Sequence, residues 1–303
     1  MVTRRNFLKL TGATAGTVAV SVVGGDALAE HHALDPDRFG VLTDTTLCIG
    51  CRRCEFACGE HNELPHGALG DYDDQGVFDV MRRPTEDAFT VVNRYPSPAA
   101  GAAPRDVKVQ CMHCEHPPCV SACPVSALEK NDRGPVTYDA SRCIGCRYCM
   151  VACPFQIPAY EYHEPLTPRV MKCTMCADRT LEQGLPPACV AMCPVEALTF
   201  GRRTDLLELA HARIRQNPGR YVDKVFGEHD GGGTSWLMLS DRDFTQIDLP
   251  DLPEQSPAVL TEQLQHGIFK GFSGPILLVG LLGILMKSSS DARKYDDQED
   301  DDE

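Results

Sequence analysis

No cysteine in this chain stands alone. All 16 fall into four quartets, so no thiol is left over as a nucleophile and no separate pair remains for nickel. There is no Gly-x-Gly-x-x-Gly to seat a dinucleotide or flavin, and Gly231-Gly-Gly-Thr-Ser lacks the Gly-Lys-Ser/Thr ending of a phosphate loop. No Cys-x-x-Cys precedes a histidine, since Cys111-Met-His-Cys114 runs into Glu115, which excludes covalent c-type haem. Positive charge is scarce as well. With 29 Lys and Arg against 43 Asp and Glu, the net charge of −14 argues against nucleic acid. Tryptophan occurs once, at Trp236, and reads as packing. No residue set offers a substrate site, so the chain reads as non-catalytic.

What is present is Cys143-Ile-Gly-Cys146-Arg-Tyr-Cys149-Met-Val-Ala-Cys153-Pro154, the C-x2-C-x2-C-x3-C-P run. A tight loop supplies three thiolates to three corners of one cube, while the fourth cysteine lies beyond a helical turn, points away and ligates a second [4Fe–4S] cluster. Pro154 ends that turn because it has no backbone N–H to continue it. Cys48, Cys51, Cys54 and Cys58 nearly copy the run. Cys111, Cys114, Cys119 and Cys123-Pro124 stretch it by a four-residue loop, and Cys173, Cys176, Cys189 and Cys193-Pro194 by a twelve-residue one. Disulfides and structural zinc also use cysteine. Disulfide scaffolds are small, however, whereas this chain has 303 residues, and zinc does not call for such triplets. Four [4Fe–4S] clusters are therefore expected.

Crossed ligation then predicts the sets. Cys48, Cys51 and Cys54 go with Cys193, and Cys173, Cys176 and Cys189 with Cys58. Cys111, Cys114 and Cys119 go with Cys153, and Cys143, Cys146 and Cys149 with Cys123. The topology behind this pairs adjacent quartets two and three, with one and four closing around them. Pairing one with two and three with four is the alternative. The expected fold is α+β, two interleaved ferredoxin-like units with one inserted in the other, plus a C-terminal transmembrane helix. The outer unit would occupy residues 40–105 and 161–203, the inserted inner unit 106–160, and a helix/strand extension 204–260. A repeat, Cys123-Pro-Val-Ser-Ala-Leu128 against Cys193-Pro-Val-Glu-Ala-Leu198, supports two related halves. Each is expected to hold two short hairpins and two small helices on a cluster pair, with so little apolar core that metal holds the fold.

The remaining elements follow from pattern. Thr3-Arg4-Arg5-Asn6-Phe7-Leu8-Lys9, an apolar stretch to Val23 and Ala27-Leu28-Ala29 read as a twin-arginine signal over 1–29, with an amphipathic N-terminal helix as the alternative. That route exports folded cargo, which reconciles many thiolates with an oxidising compartment. Residues 31–46 read as an extended lead-in, and 88–95 and 105–110 as strands. Ala127–Lys130 and Val136–Tyr138 form a hairpin around Asn131–Gly134. Leu206, Leu209, Ala210 and Ile214 mark one face of a helix over 204–216, N-capped by Thr204 and stopped at Asn217-Pro-Gly, with His211 solvated. Gly231 to Leu239 reads as a glycine turn into a strand. Residues 267–286 would span about 30 Å as a helix if Lys270 snorkels, although a buried or interfacial helix is the alternative. Lys287, Arg293 and Lys294 then place the C-terminus in the cytoplasm and the cysteine domain outside, on a single-pass protein of the inner membrane. Residues 287–303 form an acidic solvated tail. Arg52, Arg53, Arg147 and Lys172 lie beside ligands and would raise cluster potentials, or simply serve solubility.

The four quartets, with their four- and twelve-residue spacers, resemble the four-cluster subunits of the molybdopterin-oxidoreductase and membrane-hydrogenase families, over about Thr43 to Asp243. A twin-arginine leader combined with a tail helix most resembles the iron–sulfur subunit of type-2 uptake nickel–iron hydrogenases, as do Phe226-Gly-Glu-His-Asp-Gly-Gly-Gly-Thr234 and Gln265-His-Gly-Ile-Phe-Lys-Gly271. The resemblance implies electron flow between a hydrogenase small subunit and a quinone-reactive multi-span membrane subunit, the outer unit facing the hydrogenase and the inner unit the membrane. Some relatives replace a cysteine of the third quartet and carry a [3Fe–4S] centre. Cys146 is present here, which implies four cubes. The alternative is the equivalent subunit of a molybdopterin enzyme such as a formate dehydrogenase or a tetrathionate/polysulfide-type reductase.

Overall fold

The computed structural model describes residues 35, 37–97, 103–263 and 278–287. The chain divides into two units, one of residues 32–258 and one of residues 1–31 with 259–303. The leader over 1–29 and the tail beyond 287 lie outside the described residues. Of the expected span over 267–286, only 278–286 are described. They are helical, and Leu278, Val279, Leu281, Ile284, Leu285 and Met286 are exposed. Among the described residues, no helix is long and apolar enough to cross a membrane.

The unit of residues 32–258 mixes short helices and strands. The residues expected as a lead-in contain β1 (Phe39–Asp44), the middle strand of a three-stranded sheet. Its neighbours come from far along the chain, β8 (Leu198–Arg202) running antiparallel and β9 (Trp236–Leu239) parallel. Val41 and Leu42 on β1 are fully buried, because both faces of this strand are covered. Helix α1 (Arg53–His61) follows the first quartet loop, and the hairpin of β2 (Val91–Tyr95) and β3 (Arg105–Val109) follows that.

Residues 118–171 then hold only small pieces: α2 (Pro118–Ser121), β4 (Leu128–Lys130), β5 (Val136–Tyr138), α3 (Tyr148–Ala152), β6 (Ala159–Tyr160) and β7 (Val170–Met171). Strand β4 pairs with β5 and β6 with β7, giving two hairpins and two helices. The chain returns through α4 (Ala188–Ala191), which packs on α1. It then enters β8 and α5 (Arg203–Gln216), whose Leu206 and Ala210 are buried against β1 and β9.

Several expectations need correction. The boundary at 105/106 falls inside β3, which runs from Arg105 to Val109, and that at 160/161 separates β6 from its partner β7. The part around quartets one and four is not a pair of short hairpins but the β8-β1-β9 sheet with the β2–β3 hairpin, because the extension contributes a strand. Helix α5 starts at Arg203 with no side-chain cap, and Thr204 lies inside its first turn. The buried side chain of Arg203, the first helical residue, ties that start to the 227–234 segment, donating to the carbonyls of Thr234 (2.7 Å), Gly227 and Glu228 (2.9 Å each). His211 is half-exposed and sits 3.0 Å from Glu228 rather than in open solvent.

Candidate metal centres

The quartet loops share a backbone device. In both Cys-Ile-Gly-Cys-Arg runs the glycine and the arginine are left-handed, with φ of 67° and 57° at Gly50 and Arg52, and 70° and 61° at Gly145 and Arg147. This alternation curls the loop so that three sulfurs face one point, and the arginine then caps a helix that carries Cys54 and Cys58 in the first run and Cys149 in the second, where Cys153 follows its last residue. A Cβ on Gly50 would lie 2.5 Å from the Asp106 carboxylate, so the strain has no side-chain remedy. The Cys-Pro-Val-x-Ala-Leu repeat behaves alike, with Ser126 at φ 51° and Glu196 at φ 50°.

None of the 16 cysteines is in a disulfide. Cys48, Cys51, Cys54 and Cys193 line one small cavity of about 30 Å³. Cys58, Cys173, Cys176 and Cys189 line a second of about 10 Å³, and Cys123, Cys143, Cys146 and Cys149 a third of about 20 Å³. The last four gather too, for the charges pressing most on Cys114 are those of Cys111, Cys153 and Cys119. A tetrahedral zinc site draws four sulfurs to about 2.3 Å from one ion. Among the described residues, no three metal-binding side chains converge on a single-ion position. Groups of four thiols, none closed on a single-ion position, fit the donor set of a cube of iron and sulfide.

The sets follow one another in space. Lys108 lines both the Cys48 and the Cys58 cavities. Cys111 packs against the cluster of side chains holding Cys58 and Cys173, and Cys119 packs with Cys123, Cys143 and Cys149. The order is therefore the Cys48 set, the Cys58 set, the Cys111 set, then the Cys123 set.

Burial sets the thiol chemistry. It pushes Cys48, Cys149 and Cys173 up to about 11 and Cys119 to about 12, with neighbouring sulfurs adding to the effect. Without metal these groups are protonated at neutral pH, so iron uptake must release protons. Some sulfurs receive hydrogen bonds that favour the ligating form: Ala127 N–H to Cys123 Sγ at 3.2 Å, Met175 N–H to Cys173 Sγ at 3.4 Å, and Asn62 Nδ2 to Cys58 Sγ at 3.6 Å.

The arginines and lysine expected beside ligands are not surface groups throughout. Arg52 is buried, but its charge is matched by Glu55 at 3.2 Å. Glu55 also takes Arg82 at 2.6 Å and the Val92 N–H at 2.6 Å, tying α1 to β2. Lys172 is buried and donates to the carbonyls of Val136 (2.5 Å) and Cys173 (3.0 Å). Arg147 stacks over Tyr160 and Tyr162. Two residues went unnoticed or underread in the sequence. Lys108 was one strand residue among others, and Trp236, taken for packing, also forms a wall of the Cys58 cavity while its Nε1 donates to Thr43 Oγ1 at 2.7 Å.

The 4Fe-4S dicluster domain matches twice, over residues 47–128 and 106–203. A protein of Nitratidesulfovibrio vulgaris (Hildenborough) is 49% identical over 292 residues, covering 93% of this chain and 76% of the relative. The hydrogenase-2 operon protein HybA of Escherichia coli O157:H7 is 33% identical over 328 residues, which is 98% of each chain. The chain belongs to the HybA family. The nitrate-inducible formate dehydrogenase iron-sulfur subunit of Escherichia coli K12 is also similar, 32% identical over 245 residues and 80% of each chain. As a HybA-family member with tandem dicluster domains and 16 cysteines, the chain carries four [4Fe–4S] clusters and transfers electrons; it is not a catalytic subunit.

Proposed function

We propose that this protein relays electrons between a nickel–iron hydrogenase small subunit and a quinone-reactive integral membrane subunit, from the outer face of the inner membrane. The observation that carries the reading is the row of four-cysteine sets, each drawn from two different quartets. On this reading the ligand sets are Cys48/Cys51/Cys54/Cys193, Cys58/Cys173/Cys176/Cys189, Cys111/Cys114/Cys119/Cys153 and Cys123/Cys143/Cys146/Cys149. The ferredoxin-like unit of quartets two and three is then inserted in that of quartets one and four. A bound [4Fe–4S] cube takes up or gives up one electron without an open coordination position. The polypeptide holds the cubes in sequence, keeps water from them and sets their surroundings.

The ends of the row differ from its middle in ways that suit transfer to partners. Beside the Cys123 set, Cys146 is exposed, and Ile144, Tyr148 and Val151 present apolar surface. Beside the Cys48 set, Ile49 is exposed. Such apolar side chains next to a terminal cluster mark docking faces. The leader over 1–29 supports export, and the exposed apolar helix face over 278–286 supports an anchor across the bilayer by 267–286, with the C-terminus in the cytoplasm.

Anaerobic solubilisation of membranes and identification of what co-purifies tests the reading. A nickel–iron hydrogenase is expected. A molybdopterin subunit would instead put the same relay in a formate dehydrogenase or reductase, a reading favoured by the similarity to the formate dehydrogenase iron-sulfur subunit. Recovery of the protein in the soluble fraction would overturn the anchor.

A further inference from the structure

Lys108 sits where a lysine is out of place. It lies near the middle of β3, opposite Val92, and is 3% exposed. Its ammonium donates to Thr90 Oγ1 at 2.8 Å and Gln110 Oε1 at 3.3 Å, and stands 4.7 Å from the centre of the Trp236 ring. Among the described residues it meets no carboxylate, unlike the buried Arg52 with its Glu55. A buried cation held only by neutral groups is unfavourable unless counter-charge lies nearby. The counter-charge is what the flanking cysteines hold, for Cys54 and Cys193 line one cavity against Lys108 and Cys58, Cys173 and Cys189 the other. Lys108 is also a shared wall of the Cys48 and Cys58 cavities.

We propose that Lys108 is the electrostatic bridge between the first two clusters of the row, its fixed positive charge raising both reduction potentials together. An electron entering either cube adds one negative charge beside the ammonium, so the reduced form of each gains more than the oxidised form. Trp236 and the Thr90 and Gln110 acceptors hold the cation between the two chambers rather than over one. The inference rests on the ligand sets proposed above, and the test separates the two.

The experiment is a mediated dithionite titration of the purified, cluster-loaded protein, followed by electron paramagnetic resonance. Cys51→Ser and Cys176→Ser first assign the signals of the Cys48 and Cys58 sets. Lys108→Met is expected to lower both assigned midpoints, leave the midpoint of the distant Cys123 set unchanged, and keep wild-type iron and sulfide content. Lys108→Arg is expected to restore both midpoints towards wild type. If Lys108→Met does not load iron, Lys108→Gln carries the same test. Wild-type midpoints in the methionine or glutamine variant, a shift at one set alone, or an equal shift at all four would overturn the bridge. Perturbation of one and the same signal by Cys51→Ser and Cys176→Ser would instead overturn the ligand sets, and the bridge with them.

Discussion

The two ends of the relay solve the same ligation problem with unequal amounts of protein. Around the Cys48 and Cys58 sets stand a three-stranded sheet, a five-residue-per-strand hairpin, α1 against α4, and the cover of α5. Around the Cys123 set stand two hairpins whose strands are three and two residues long, and two helices of four and five residues. Cys58, Cys173, Cys176 and Cys189 are all buried, whereas Cys146 is exposed. Even the first and third quartets, which share one spacing, differ, Cys51 being half-buried where Cys146 is exposed, so spacing does not decide how a cluster is insulated. Insulation comes from the sheet, and the sheet is closed by residues before the first quartet and after the fourth.

The largest expected effect of this difference is on what survives without iron. Chelation under anaerobic conditions should erase amide-exchange protection completely across β4–β7, where metal supplies most of the cohesion. Protection in β8-β1-β9 should persist longest, since Leu42 on β1 and Leu237 and Leu239 on β9 pack with Leu206 and Ala210 of α5 in an apolar cluster without cysteine. Simultaneous loss in both regions would remove the distinction. Next in size is the loss of single clusters. Cys58→Ser should take about four of about sixteen iron atoms per chain and remove the same paramagnetic signal as Cys176→Ser, not the one removed by Cys51→Ser. Pairing of quartet one with two would give a different match.

How much of this was legible in the sequence depends on what each residue answers to. The cysteines were legible because cluster geometry dictates their spacing locally. The β4–β5 hairpin was legible because its turn residues are consecutive. Strand β1 was read only as extended, because its partners β8 and β9 lie far away and its burial depends on them. Lys108 was hidden for a related reason. Val107-Lys108-Val109-Gln110 alternates like a strand with one wet face, yet Lys108 and Gln110 are both buried, because Lys108 faces the cysteine cavities and Gln110 accepts from its ammonium. Polar residues facing a cluster and polar residues facing water look alike in one dimension.

The joint between the two regions gives a smaller, pH-dependent effect. Glu115 follows the second quartet's Cys114 and is buried among Arg38, Lys130 (3.4 Å) and Arg203 (3.9 Å), with Ser235 Oγ donating at 2.6 Å. Burial alone would push its carboxyl up, but Lys130, Ser235, Arg203 and Arg38 hold it below its ordinary 4.5. A carboxyl lowered in the folded state stabilises above its ordinary value, and that contribution fades as pH falls through 4.5 towards the folded value. Glu115→Gln should therefore cost about 3–5 kcal/mol near neutrality by stranding buried cations. It should appear as earlier thermal bleaching, and its difference from wild type should shrink as pH falls below that range. A difference independent of pH would mean that shape, not charge, joins the two regions.

The smallest effect on the isolated protein should be the most informative about the exposed end. Val151 is 86% exposed on α3, beside the Cys123 set, and touches nothing that a substitution would disrupt. Val151→Asp should leave stability within about 0.5 kcal/mol of wild type, as surface changes do. If the apolar face of Ile144, Tyr148 and Val151 docks a partner, the same change buries an unpaired carboxylate at that contact. Recovery of the partner in anaerobic pull-downs from solubilised membranes should then fall about tenfold or more, which corresponds to the ~1.4 kcal/mol per decade of affinity. The equivalent change at Ile49→Asp, beside the opposite end of the row, should weaken a different partner and spare this one. Equal loss of both partners from either variant would mean that the ends do not act as separate contacts, and the electrical order of the sets would lose its meaning as a direction through the protein.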